Sequence, residues 1–196
     1  MLDELINNSH LHRALLAGVA MSIACGLLSV FVVSQRWAFI GEGISHAGLG
    51  GAGTAWLAAL LVPALDTPVF AYTAIVCFCL ATALAIGWVS HPRGRRGVNS
   101  DAAIGIFLVA TLAWGFLAQN VYARFRGSSP FGFDNILFGQ MRALSPAYVL
   151  VAVAACAGVV FVVVMLHKEI LAYCFDPMMA EVSGVRAGAM HYLLMV

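Results

Sequence analysis

"AFIGEGISHAGLGGAGTAWLAALLV", residues 38–62, places an acid and an imidazole, Glu42 and His46, in a run that is otherwise small or apolar. A helix rises about 1.5 Å per residue, and a bilayer needs roughly 20 residues to cross, so the stretch is long enough to span. On that helix Glu42 lies one turn from the end and His46 one turn deeper. Residues four apart share a face, and Ser45 joins it. Gly43, Ala47, Gly51, Ala55 and Ala59 form a neighbouring stripe at four-residue spacing. Such small-residue stripes let helices approach closely in lipid. Glycine weakens a helix by up to ~1 kcal/mol relative to alanine. Glycines at 41, 43, 48, 50, 51 and 53 therefore imply close packing, a bend, or backbone lining a cavity.

The remainder of the chain is of the same kind. Of 196 residues 62% are hydrophobic and 10% charged, with mean hydropathy +0.94. A soluble domain is about half apolar and about a quarter charged, and a water-soluble core of this size cannot absorb such an excess. The apolar runs are continuous rather than alternating, which excludes a transmembrane β-barrel. The expected fold is all-α, a polytopic membrane protein. Runs at 14–34, 38–62, 69–90, 102–119 and 146–166 predict five full transmembrane helices. A sixth begins near 189 and is cut off at 196, so further helices are expected beyond it. Residues 1–196 read as one transmembrane domain. The amino-terminal segment "MLDELINNSHLH" carries two acids and no basic cluster, which favours a retained helix over a cleaved signal.

A net charge of +1 gives no reason to expect nucleic acid. Cys25, Cys77, Cys79, Cys156 and Cys174 lie in or beside apolar runs without a C-x-x-C pair and read as small packing residues. With five alternating spans, "HPRGRRG" (91–97), Lys168, Arg186 and Arg36 fall on one side. By the positive-inside rule that side is cytoplasmic, and the amino terminus is outside. The segment 120–145 reads as a long external connection, with an interfacial or re-entrant helix in "FDNILFGQMRAL".

An acid at the centre of a span costs roughly 2.5–3.5 kcal/mol on insertion scales. Glu42 and His46 could recover that as a structural ion pair, or they could line a polar path and hold a cation in passing. Carboxylate oxygen and imidazole nitrogen suit Zn²⁺, Mn²⁺ or Fe²⁺. Spacing alone leaves both readings open. Asp101 opens the fourth span and reads as an N-cap and helix-dipole partner, or else as a second polar station. Asp176 followed by Pro177 is a helix start, and Gly184 is placed as its C-cap. His10 and His12 read as interfacial, and His91, His167 and His191 carry no distinguishing pattern. No G-x-x-x-x-G-K-[ST] loop occurs, so the chain is not expected to hydrolyse ATP by that design.

"RALLAGVAMSIACGLLSVFVVSQRWAFIGEGISHAGLGGAG" (13–53), "SDAAIGI" (100–106), "ILFGQMRALS" (136–145) and "FDPMMAEVSGV" (175–185) resemble, in that order, the bacterial metal-ion ABC transporter permeases for zinc, manganese and iron. Glu42 stands where that family usually has aspartate, and Gly50 where it has proline. The resemblance implies a type II importer-like bundle in the bacterial cytoplasmic membrane. It also implies a second copy of the permease, a cytoplasmic ATPase subunit and an extracytoplasmic metal-binding protein. Glu42 and His46 would meet the transported divalent ion; no permanent cofactor is implied. Residues 175–185, with the A-x-x-x-G pattern of Ala180 and Gly184 around Glu181, look like the segment that docks into the ATPase. Two other functions are carried alongside: a permease for a siderophore or corrinoid chelate, and an ion-coupled carrier using Glu42 and His46 as a proton relay.

Overall fold

The computed structural model describes residues 9–90, 100–127 and 146–195. Every regular element among them is helical: α1 (Ser9–Ser34), α2 (Ile40–Leu61), a 3₁₀ turn (Pro63–Leu65), α3 (Pro68–Ser90), α4 (Ser100–Arg126), α5 (Pro146–Met165), α6 (His167–Phe175), α7 (Pro177–Val182) and α8 (Ala187–Met195). They form two compact units. One holds α1, α5, α6, α7 and the first turn of α8; the other holds α2, α3, α4 and the rest of α8.

By length and composition α1, α3, α4 and α5 can each cross a membrane. They carry exposed apolar side chains such as Val30, Val69, Trp88 and Phe161, as lipid-facing helices do. The protein is a multi-pass α-helical membrane protein. The expected fifth full span, α2, is not among those four. Glycine, Glu42 and His46 dilute its apolar content, and α4 and α3 cover it instead.

That packing explains the small residues. A Cβ on Gly51 would lie 2.7 Å from the Ile75 Cα of α3. A Cβ on Gly53 would lie 2.8 Å from the Ala118 Cβ of α4, and one on Gly115 would lie 2.7 Å from Leu49 Cγ. Gly43, Ala47, Gly51, Ala55 and Ala59 are all buried. Trp56 and Tyr122 close the far end of the contact, their rings 6.4 Å apart above Ala52. The Cys79 thiol reaches the Ile44 carbonyl at 3.6 Å, and all five cysteines are free thiols. Gly51→Ala and Gly53→Ala are each expected to destabilise the protein by about 1–3 kcal/mol through overpacking, read as a lower unfolding midpoint in detergent. Gly41→Ala is the control, because no atom lies within 4 Å of its Cβ position.

Two boundaries differ from the sequence expectation. The first helix is already formed at Ser9, the first described residue, ahead of the span expected from 14, and the fourth span does not stop at 119: α4 continues to Arg126. "NVYARFR" is therefore helix, not the start of a loop. Tyr122 buries against α2, the Asn120 amide donates to the Phe116 carbonyl, and Arg124 and Arg126 sit in the last turn, where the helix dipole favours cations. Arg126 also donates to Asp66 at 3.1 Å, tying the α2–α3 connection to the end of α4. Both side chains are substantially exposed, so a double-mutant cycle of Asp66→Ala and Arg126→Ala is expected to give a coupling of less than about 1 kcal/mol. The basic 91–97 segment, the 136–145 block and the expected interfacial helix in "FDNILFGQMRAL" lie outside the described residues.

Candidate metal path and docking segment

Glu42 falls in the first turn of α2, where the helix N-terminus favours a carboxylate. Its Oε1 lies 3.7 Å from His46 Nε2. That is ion-pair range but longer than a hydrogen bond, so the two groups face one another without closing on one another. Glu42 is 63% exposed and His46 24%. The pair thus stands on a helix whose small-residue stripe is buried by backbone-close packing, with Glu42 open and His46 partly so. Ser45 is exposed, but its hydroxyl donates to the Glu42 carbonyl at 2.8 Å. It is engaged with its own helix rather than with His46.

Among the described residues no group of three or more His, Cys, Asp or Glu side chains converges on a metal position. A pair that contributes two donors leaves the remaining coordination positions of a divalent ion to water or to other protein groups. Such incomplete coordination suits an ion that must leave again, unlike the closed four-ligand sites of structural zinc.

Asp101 is the second residue of α4, inside the helix rather than at its N-cap, and is exposed. It remains in the first turn, where it acts on the helix dipole. A Cβ on Gly43 would lie 3.1 Å from Ile104 Cγ2, so the start of α4 is next to the Glu42 turn. Asp101 and Glu42 therefore occupy the same end of this unit. A hollow of about 560 Å³ lies in the other unit, with Leu27, Phe31, Val163 and Leu171 among its lining residues and Ser34, His167 and Cys174 at its wall. Its surface is nearly all apolar, which fits hydrocarbon, and the His167 ring is engaged with the Val164 carbonyl at 2.9 Å.

The segment 175–185 is a capped, self-contained turn. Asp176 accepts hydrogen bonds from the Met178 and Met179 amides at 2.9 and 3.1 Å, Pro177 takes the first helical position, and α7 ends at Val182. Gly184 adopts φ +87°, its amide bonds to the Glu181 carbonyl, and the Val185 amide bonds to the Ala180 carbonyl. That double closure is the Schellman arrangement. Ala180 is buried beneath the turn, whereas Met178 (80%), Val182 (84%), Met179 and Phe175 are exposed; Glu181 is exposed as well. In α6 just before it, burial, with the neighbouring Cys174, pushes the Tyr173 phenol up to about 12, so it stays protonated.

Sequence reasoning missed Gly115, whose absent side chain admits Leu49. The buried positions Ile104, Thr111, Gly115, Ala118 and Tyr122 on α4 recur with helical period, and that recurrence was the available signal. It also passed over His191, which is buried; a lone histidine near a span end has no pattern to read.

The chain is 33% identical to the manganese transport system membrane protein MntC of Halalkalibacterium halodurans, over 99% of this chain and 61% of that protein. It is 28% identical to a probable iron transport system membrane protein of Haemophilus influenzae, over 95% of this chain and 62% of that protein. The solved structure of PsaBC from Streptococcus pneumoniae in complex with Fab shares the fold, with a TM-score of 0.71 at 24% identity, over 99% of this chain and 64% of that one. The chain thus spans somewhat less than two thirds of the length of these relatives. Residues 7–196 match the ABC 3 transport family, and with nearly the whole chain inside that match, this protein belongs to the ABC 3 transport family.

Proposed function

We propose that residues 1–196 form a transmembrane permease domain of an ATP-driven importer for divalent transition-metal ions in the bacterial cytoplasmic membrane. The observation that carries this reading is the Glu42–His46 pair, held open on the most tightly packed helix of a chain that belongs to the ABC 3 transport family. An acid and an imidazole with open coordination match a bare divalent ion; a large chelate brings its own ligands and needs no such pair. Manganese is the first candidate, because relatives carry manganese transport names, with ferrous iron next.

The working transporter pairs two copies of the permease with two cytoplasmic ATPase subunits and receives its ion from an extracytoplasmic binding protein. Energy enters through α7, whose exposed Met178, Met179 and Val182 form an apolar knob suited to a groove on the ATPase. Glu42 and His46 hold the ion in passing on its way inward, and Asp101 adds negative charge at the same end. The decisive experiment is ATP-dependent uptake of radiolabelled Mn²⁺ by the complex in proteoliposomes, with Fe²⁺, Zn²⁺ and Mg²⁺ as competitors. Uptake that ignores ATP, or that Mg²⁺ suppresses as well as Fe²⁺ does, sinks the reading.

A further inference from the structure

His191 lies in α8 and is 3% exposed. Its Nε2 is 3.1 Å from the Gly87 carbonyl of α3. A carbonyl only accepts, so Nε2 carries the hydrogen. Gly87 lies in the last described turn of α3, and the His191 N–H donates to its carbonyl from a helix 104 residues further along the chain. Its ring also meets Trp37 edge-on, with centroids 5.4 Å apart and planes at 82°. Trp37 is buried, and its carbonyl accepts from the Ile40 amide at 3.1 Å, the bond that starts α2 two residues before Glu42. Gly87 leaves room for the same helix: a Cβ there would lie 3.1 Å from the Tyr192 ring. One side chain of α8 therefore contacts both the lead-in of α2 and the last described turn of α3.

We propose that His191 is a positioning residue for the Glu42–His46 pair, fixing the lead-in of α2 to the end of α3 and making both follow α8. This rests on the reading that the pair meets the metal. The use of such a device is local: the hydrogen bond and the ring contact hold the lead-in of α2, and with it the turn that bears Glu42, at one position relative to α3.

The test measures Mn²⁺ uptake and ATP hydrolysis by the assembled transporter in proteoliposomes, for wild type, His191→Gln, His191→Phe and His191→Asn. His191→Phe keeps a ring against Trp37 but loses the donor, and uptake per ATP hydrolysed is expected to fall about tenfold while hydrolysis stays within about twofold. His191→Gln places an amide nitrogen near the Nε2 position and is expected to restore coupling to within about twofold. A residue that served packing alone would lower assembly and both activities together. If His191→Phe does not assemble, His191→Asn, whose amide falls short of Gly87, carries the same expected loss. The inference is overturned if the donor-deleted variants transport as wild type, or if His191→Gln fails as badly as they do. Glu42→Ala separates the two levels. Wild-type uptake in that variant removes the metal-path reading and this inference with it. A dead Glu42→Ala beside a fully active His191→Phe removes this inference alone.

Discussion

Glu42→Ala and His46→Ala are each expected to reduce metal uptake by on the order of 100-fold or more, with the complex still assembled. Loss of a group that merely supports a ligand costs roughly 10–100-fold, and these two residues are proposed as ligands themselves. Both are partly or largely exposed and stand 3.7 Å apart, so removing either leaves no buried charge unpaired and the fold should survive. Glu42→Asp is expected to transport, because the carboxylate is retained and the open pair has room for a one-methylene retreat. Assembly is read by co-purification with the ATPase and transport by ATP-dependent Mn²⁺ uptake. Normal uptake in both alanine variants would falsify the metal-path assignment.

Met178→Glu and Val182→Glu should act at the opposite end of the mechanism. Both side chains are almost fully exposed on α7, and the turn is held by Asp176, Pro177 and Gly184 rather than by them. The substitutions therefore leave the helix intact while placing charge in an interface proposed to be apolar. A buried unpaired charge costs several kcal/mol, which corresponds to on the order of 100-fold or more in association. The ATPase should no longer co-purify, while the permease keeps its unfolding midpoint in detergent. Retention of the ATPase by both variants would show that the knob is not the docking surface.

The helical, polytopic character was legible in composition and in the length of the apolar runs, because burial of backbone polar groups in lipid admits so few designs. The α7 turn was equally legible. Asp176, Pro177 and Gly184 act on neighbouring backbone atoms, and local hydrogen bonding needs no tertiary partner. The extension of α4 to Arg126 was not legible. "NVYARFR" is polar enough to read as loop, and only Tyr122 packing on α2 and the Arg126–Asp66 pair show why it stays helical. His191 was invisible for the same reason: the Gly87 carbonyl it donates to is 104 residues away.

Residues 38–62 by themselves determined that a helix would carry Glu42 and His46 on one face beside a stripe of small residues, since a period of 3.6 residues permits no other placement. What covers that stripe was decided by tertiary structure alone. Ile75 and Phe78 of α3 press on Gly51, and Ala118 and Gly115 of α4 press on Gly53. Those contacts bury the small-residue stripe and leave Glu42 exposed and His46 half-buried near the start of the helix. Periodicity sorts side chains around one helix, but which side chains are covered depends on where other helices lie. That is set by shape complementarity between segments distant in the chain.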